Sequence, residues 1–243
     1  MKNWVASFLE SLAAEKGYSQ NTCRGYRSDL QEFLVYLDDS EFAGSQRSTG
    51  SPGIGVDSVD SIAIRGYLGY LHKRNSKTTI ARKLSALRSF FKYLVKRGVL
   101  DENPAEAILT PKRDLTIPAY LPVDEMFRLL DSIQSRNLMD LRNRAIFETL
   151  YSCGIRISEL VGLNCVDVDF QGATLRVLGK GRKERIVPIG RKALQAVKSY
   201  REKLHTECGI SLESNGPVFL NRYNGRLTAR SIARILVKLV DAC

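Results

Sequence analysis

The chain has 243 residues and a formal net charge of +11, from 37 Lys and Arg against 26 Asp and Glu. That length suits two domains with separate cores, and a basic excess of this size points to a polyanionic partner, because clustered cations displace counterions from phosphates whatever the base sequence. Five scattered cysteines without a CxxC pair indicate neither a zinc site nor a disulfide framework, and no apolar run is long enough to span a bilayer.

The opening MKNWVASFLESLAAEKG carries Glu10 and Glu15 and lacks an uninterrupted apolar stretch, so it reads as a helix of the mature protein rather than a signal peptide. A reducing, cytoplasmic location is the expectation. Tyr26, Leu30, Phe33 and Leu37 fall at i, i+4, i+7 and i+11 and predict a helix over 21–38 with Ser19 as its cap. The Gly/Ser-rich stretch near 40–56 has no period and reads as a loop.

From Arg65 to Arg97 there are ten Lys and Arg and no acidic residue. Within this region SKTTIARKLSALRSFFKYLVKRG predicts a helix capped by Ser76 and ended by Gly98, with Ile80, Leu84, Leu87, Phe91 and Leu94 as its buried stripe. Arg82, Ser85, Ser89, Lys92 and Lys96 project from the far side, which suits phosphates better than a merely solvated face of mixed sign. Arg82, Lys83, Arg88 and Lys92 are the candidate DNA contacts of this region.

Asn103-Pro104 ends the helical block, and the three prolines of 108–122 mark a linker, placed at 108–118. The expected layout is a helical domain over 1–107 and a second domain over 119–243. In the latter, VDEMFRLLDSI and LRNRAIFETLYSCG are helical by pattern, with Gly154 ending the second. CVDVDF, ATLRVLG and ERIVPIG alternate with period two and predict a three-stranded antiparallel sheet. Helices resume with RKALQAVKSYREKLH and TARSIARILVKLVDAC. The fold class is therefore mainly α with a small antiparallel sheet, in two domains, one all-α and one mixed α+β.

Two stretches can carry chemistry. GKGRKER at 179–185 lies between two strands and lacks the Ser or Thr of a nucleotide-binding P-loop, so it reads as a flexible basic hairpin, either plain surface or a contact for a ligand backbone. In YSCGIRISELVGL, Arg156 stands between Ile155 and Ile157 with Glu159 three residues on. So apolar a neighbourhood predicts a half-buried guanidinium, held on one edge by Glu159 and either purely structural or open to a phosphate on the other.

GIRISELVGLNCVDVDF, followed 24 residues after Arg156 by Lys180 in GKGRKERIVPIG, is similar to the tyrosine recombinase (phage integrase) family and most to its Xer-type members, which resolve chromosome dimers. SKTTIARKLSALRSFFKYLVKRGVLDENPAEAI resembles the last helices of that family's N-terminal core-binding (SAM-like) domain, and IPAYLPVDEMFRLLD the entry to its catalytic domain. The resemblance implies strand cleavage by a tyrosine through a 3′-phosphotyrosyl link, without ATP, metal or other cofactor, because the energy stays in the covalent bond. It implies that Arg156 stabilises the phosphoryl oxygens, that Lys180 protonates the leaving 5′-oxygen, and that Glu159 keeps the site in order. It implies double-stranded DNA and homologous recombinase subunits, in a tetrameric synapse, as partners, and Arg182, Lys183 and Arg185 as further DNA contacts.

The family's His-x-x-Arg motif and its later nucleophilic Tyr are not found in these residues: neither His72 nor His205 begins such a motif, and Tyr200 and Tyr223 precede its place. The expectation is a C-terminally truncated recombinase that binds DNA without cleaving it, the alternative being a non-catalytic derivative acting as a decoy.

Overall fold

The computed structural model describes residues 1–14, 18–39, 55–112, 120–179, 181, 183–211 and 215–242. The chain divides into two compact units, Met1–Ile117 and Pro118–Cys243.

The first unit is helical among its described residues: α1 Lys2–Ala14, α2 Gln20–Asp39, α3 Ser61–His72 and α4 Lys77–Lys96. The starts of α2, α3 and α4 are each set by a side chain that accepts an otherwise unpaired N–H of the first turn. Ser19 Oγ accepts from Thr22 N, Asp60 from Ala63 N and Ser76 Oγ from Thr79 N. Helix α4 ends at Gly98, whose φ of 68° lets the Gly98 and Val99 amides fold back onto the carbonyls of Val95 and Leu94. The stripe Ile80, Leu84, Leu87, Phe91 and Leu94 is buried, and it meets Leu30, Phe33 and Leu37 of α2 and Phe8 and Leu12 of α1. Aromatic edges lock this core: Phe8 lies edge-on to Phe90 at 5.6 Å, and Phe33 packs on Tyr67 at 5.0 Å.

This unit continues past the predicted start of the linker. Ala105 and Ile108 are buried in its core, and Arg88 holds the segment by donating to the carbonyls of Ala105 and Ile108 and to Thr110 Oγ1.

The second unit contains α5 Val123–Ser132, α6 Leu138–Cys153, α7 Ile157–Gly162, β1 Val168–Asp169, β2 Thr174–Leu178, β3 Glu184–Pro188, α8 Arg191–Cys208 and α9 Ala229–Val240. The sheet is antiparallel in the order β1-β2-β3, with Val177 opposite Arg185 and Leu178 opposite Glu184. Leu175 and Val177 point into a core shared with Ile146, Leu160, Val197 and Phe219. Helix α6 starts one turn earlier than its pattern suggested, because Asn137 accepts from Asp140 N, and it ends at Gly154 with φ 59°.

The first strand is shorter than predicted. Cys165–Asp167 forms a 3₁₀ turn, since the Asp167 carboxylate accepts from Asn164 N and overrides the alternating pattern that CVDVDF presents. Tyr200 is fully buried with its hydroxyl accepting from Leu220 N, and burial raises its pKa. Tyr223 is exposed and stacks with Arg222. Among the described residues no helix is long and apolar enough to cross a membrane.

Candidate phosphate-binding site

Gly154 turns the chain out of α6, Arg156 takes an extended conformation (φ −72°, ψ 151°), and α7 starts at Ile157. Extended backbone alternates its side chains, so Ile155 goes into the core and Ile157 packs against it while Arg156 points outward. Its side chain is 72% exposed, which corrects the half-buried position that the flanking isoleucines suggested. The buried partner is Glu159, with only 4% of its side chain exposed.

Four donors converge on that carboxylate. Oε1 accepts from Arg156 Nη1 at 3.1 Å and Arg185 Nη1 at 2.9 Å, and Oε2 accepts from the Arg156 amide at 2.9 Å and Arg185 Nη2 at 2.8 Å. The Arg185 hydrogen bonds, helped by those of Arg156 against the cost of burial, hold Glu159 down at about 2, so it is anionic throughout the neutral range. Of the Arg156 guanidinium only Nη1 is engaged among the described residues, and the remaining N–H groups are presented at the surface. Such an arrangement can receive an anion: a fixed cation with open donors, steadied by a carboxylate too crowded to compete for them.

Lys180 and Arg182 lie outside the described residues. Their loop is framed by Gly179, whose amide donates to the Lys183 carbonyl at 2.8 Å, and by Gly181 at φ 73°. Lys183 is exposed, whereas Arg185 is committed to Glu159.

The candidate contacts on α4 divide in the same way. Lys92 is exposed. Lys83 is not: its ammonium is buried and bonded to Glu32, which takes it off the surface where a candidate DNA contact would have to stand. Arg82 keeps half its side chain exposed but is bonded to the buried Asp29, and Arg88 is taken up by the carbonyls of the following segment. These partners lie between 17 and 53 residues away in sequence, beyond the reach of any local pattern.

One further basic surface lies outside the residues predicted from the sequence. Arg230, Arg234 and Lys238 of α9 are all exposed. Their i, i+4, i+8 spacing is the signal in the sequence, and it runs alongside the stronger apolar stripe of the same helix.

Residues 119–242 match the phage integrase family, and residues 5–98 match the phage integrase N-terminal SAM-like domain. Among curated proteins the chain is 42% identical to tyrosine recombinase XerC of Syntrophus aciditrophicus (strain SB) over 245 residues, covering 99% of this chain and 78% of that one. It is 39% identical to tyrosine recombinase XerC of Myxococcus xanthus over 241 residues, covering 98% and 77%. The fold is similar to that of a lambda integrase (75–356) dimer bound to a COC′ core site, with a TM-score of 0.69 at 17% identity, covering 100% of this chain and 81% of that one. It is also similar to the site-specific recombinase XerH bound to difH substrate, with a TM-score of 0.69 at 19% identity, covering 91% and 63%. With its catalytic-domain and SAM-like matches in sequence order and XerC relatives aligned along nearly all of it, the chain belongs to the phage integrase family of tyrosine recombinases.

Proposed function

We propose that this chain is a subunit of a Xer-type site-specific recombinase, acting on double-stranded DNA together with other recombinase chains. The observation that carries this reading is the Arg156 guanidinium, exposed with open N–H groups and steadied from below by the saturated carboxylate of Glu159. In the reaction Arg156 stabilises charge gathering on the non-bridging oxygens of the scissile phosphate. Lys180, on the β2–β3 loop, donates a proton to the departing 5′-oxygen. Lys92 and Lys183 contact phosphates, which position the duplex without reading sequence. The XerC identity and the pairing of two domains support this assignment.

Because these 243 residues hold no His-x-x-Arg motif with a tyrosine beyond it, the polypeptide by itself binds duplex DNA without forming a phosphotyrosyl link. Incubation with a nicked suicide substrate should leave no covalent adduct, and an adduct would overturn that statement. Joined to the corresponding remainder of a XerC relative, the chain should gain cleavage. Arg156→Ala in that chimera should lower the cleavage rate by about 10²–10³-fold with little loss of binding, as for removal of a transition-state donor. Equal losses in rate and binding would make Arg156 a positioning contact instead.

A further inference from the structure

Arg185 lies on β3, opposite Val177 of β2, with 41% of its side chain exposed. A basic residue there invites assignment to the DNA surface, but its fork is already occupied. Nη1 and Nη2 each reach one oxygen of Glu159, a residue of another element 26 positions earlier in sequence. The same two oxygens receive the Arg156 guanidinium and the Arg156 amide. One carboxylate thus clasps the start of α7 to the second strand of the hairpin.

The clasp extends to the base of the loop. A Cβ added to Gly179 would stand 3.0 Å from Arg185 Nη1 and 3.3 Å from the Lys183 carbonyl, so a side chain there would push the guanidinium or the loop backbone aside by a few tenths of an ångström, and glycine lets the residue before Lys180 lie directly against the guanidinium. We propose that Arg185 is a positioning residue: through Glu159 it holds the base of the Lys180 hairpin against the start of α7 at Arg156, and it does not contact DNA. The proposal rests on the reading of Arg156 and Lys180 as the phosphate site. The anionic state of Glu159 keeps the clasp charged over the working pH range.

The test uses Arg185→Gln, Arg185→Lys, Glu159→Gln and the Arg185→Gln/Glu159→Gln pair in the 243-residue chain. Amide hydrogen exchange at Gly179 and Arg156 should accelerate about tenfold or more in either Gln variant, with the pair no faster than the singles, as coupled residues require. An unmoved Arg156 amide in Arg185→Gln, or effects that multiply in the pair, would overturn the clasp.

The carboxyl carbon resonance of Glu159 should titrate higher in Arg185→Gln and only part of the way in Arg185→Lys, because one ammonium cannot span both oxygens. An unchanged midpoint in both would overturn the proposal, and the Lys variant supplies this reading should the Gln variant not fold. With a random-sequence duplex, the slope of log affinity against log salt should be unchanged in Arg185→Gln and shallower by about one in Lys183→Gln. A shallower slope in Arg185→Gln would make that residue a phosphate contact and overturn the proposal. Lack of salt-dependent binding in the unaltered chain would overturn the recombinase reading, while exchange and titration would still decide the clasp.

Discussion

At Glu159 the chemistry turns on a carboxylate that is buried yet ionised, a combination tolerable only because four donors meet it. Its folded-state pKa, about 2, lies below the ordinary 4.5, so the unfolded chain binds the proton more readily than the folded one. Stabilisation from this group is therefore complete above about pH 4.5 and is lost as pH falls toward 2. Urea unfolding measured across that range should show the native chain losing stability on acidification, and Glu159→Gln should flatten this part of the profile. The pairing of Glu159 with Arg156 was legible from their i, i+3 spacing. Its second partner was not, because nothing local announces that residue 185 returns across a hairpin to residue 159.

At the scale of an element, α4 separates cations that look alike in sequence. Lys83 sits one position from Arg82, yet the turn of the helix carries its ammonium inward onto Glu32. Lys83→Met should lower stability by about 1 kcal/mol, since the partly exposed Glu32 loses the ammonium but keeps the Tyr67 hydroxyl and water, measured by urea denaturation. Its effect on the salt slope of DNA binding should be nil. Lys92→Gln should do the reverse, leaving stability within about 0.5 kcal/mol and lowering the slope by about one. Ser76→Ala should cost about 1 kcal/mol through the lost cap.

The helix itself was plain in the sequence, since five apolar residues at helical period between Ser76 and Gly98 leave little choice. What escaped was charge pairing across 51 and 53 residues to α2. The first strand failed for a related reason: CVDVDF alternates as a strand does, but Asp167 accepts the Asn164 amide and curls half of it into a turn.

At the scale of the whole molecule, two cores built from different elements account for the change of texture along the sequence, helices first and helices around a small sheet after. The surplus of cations is the property most directly tied to a polyanionic partner. Affinity for duplex DNA should fall steeply as salt rises, and binding indifferent to salt would remove the electrostatic basis of the assignment.

The acids under α4 qualify that surplus. Asp29 and Glu32 of α2 pair with Arg82 and Lys83 of α4 from beneath, so these two cations are less available to a polyanion than their place in an acid-free stretch of sequence suggests. Asp29→Asn would free Arg82 without adding a single base, and the variant should elute later from a heparin column. Two inward carboxylates thus act as a brake on indiscriminate sticking.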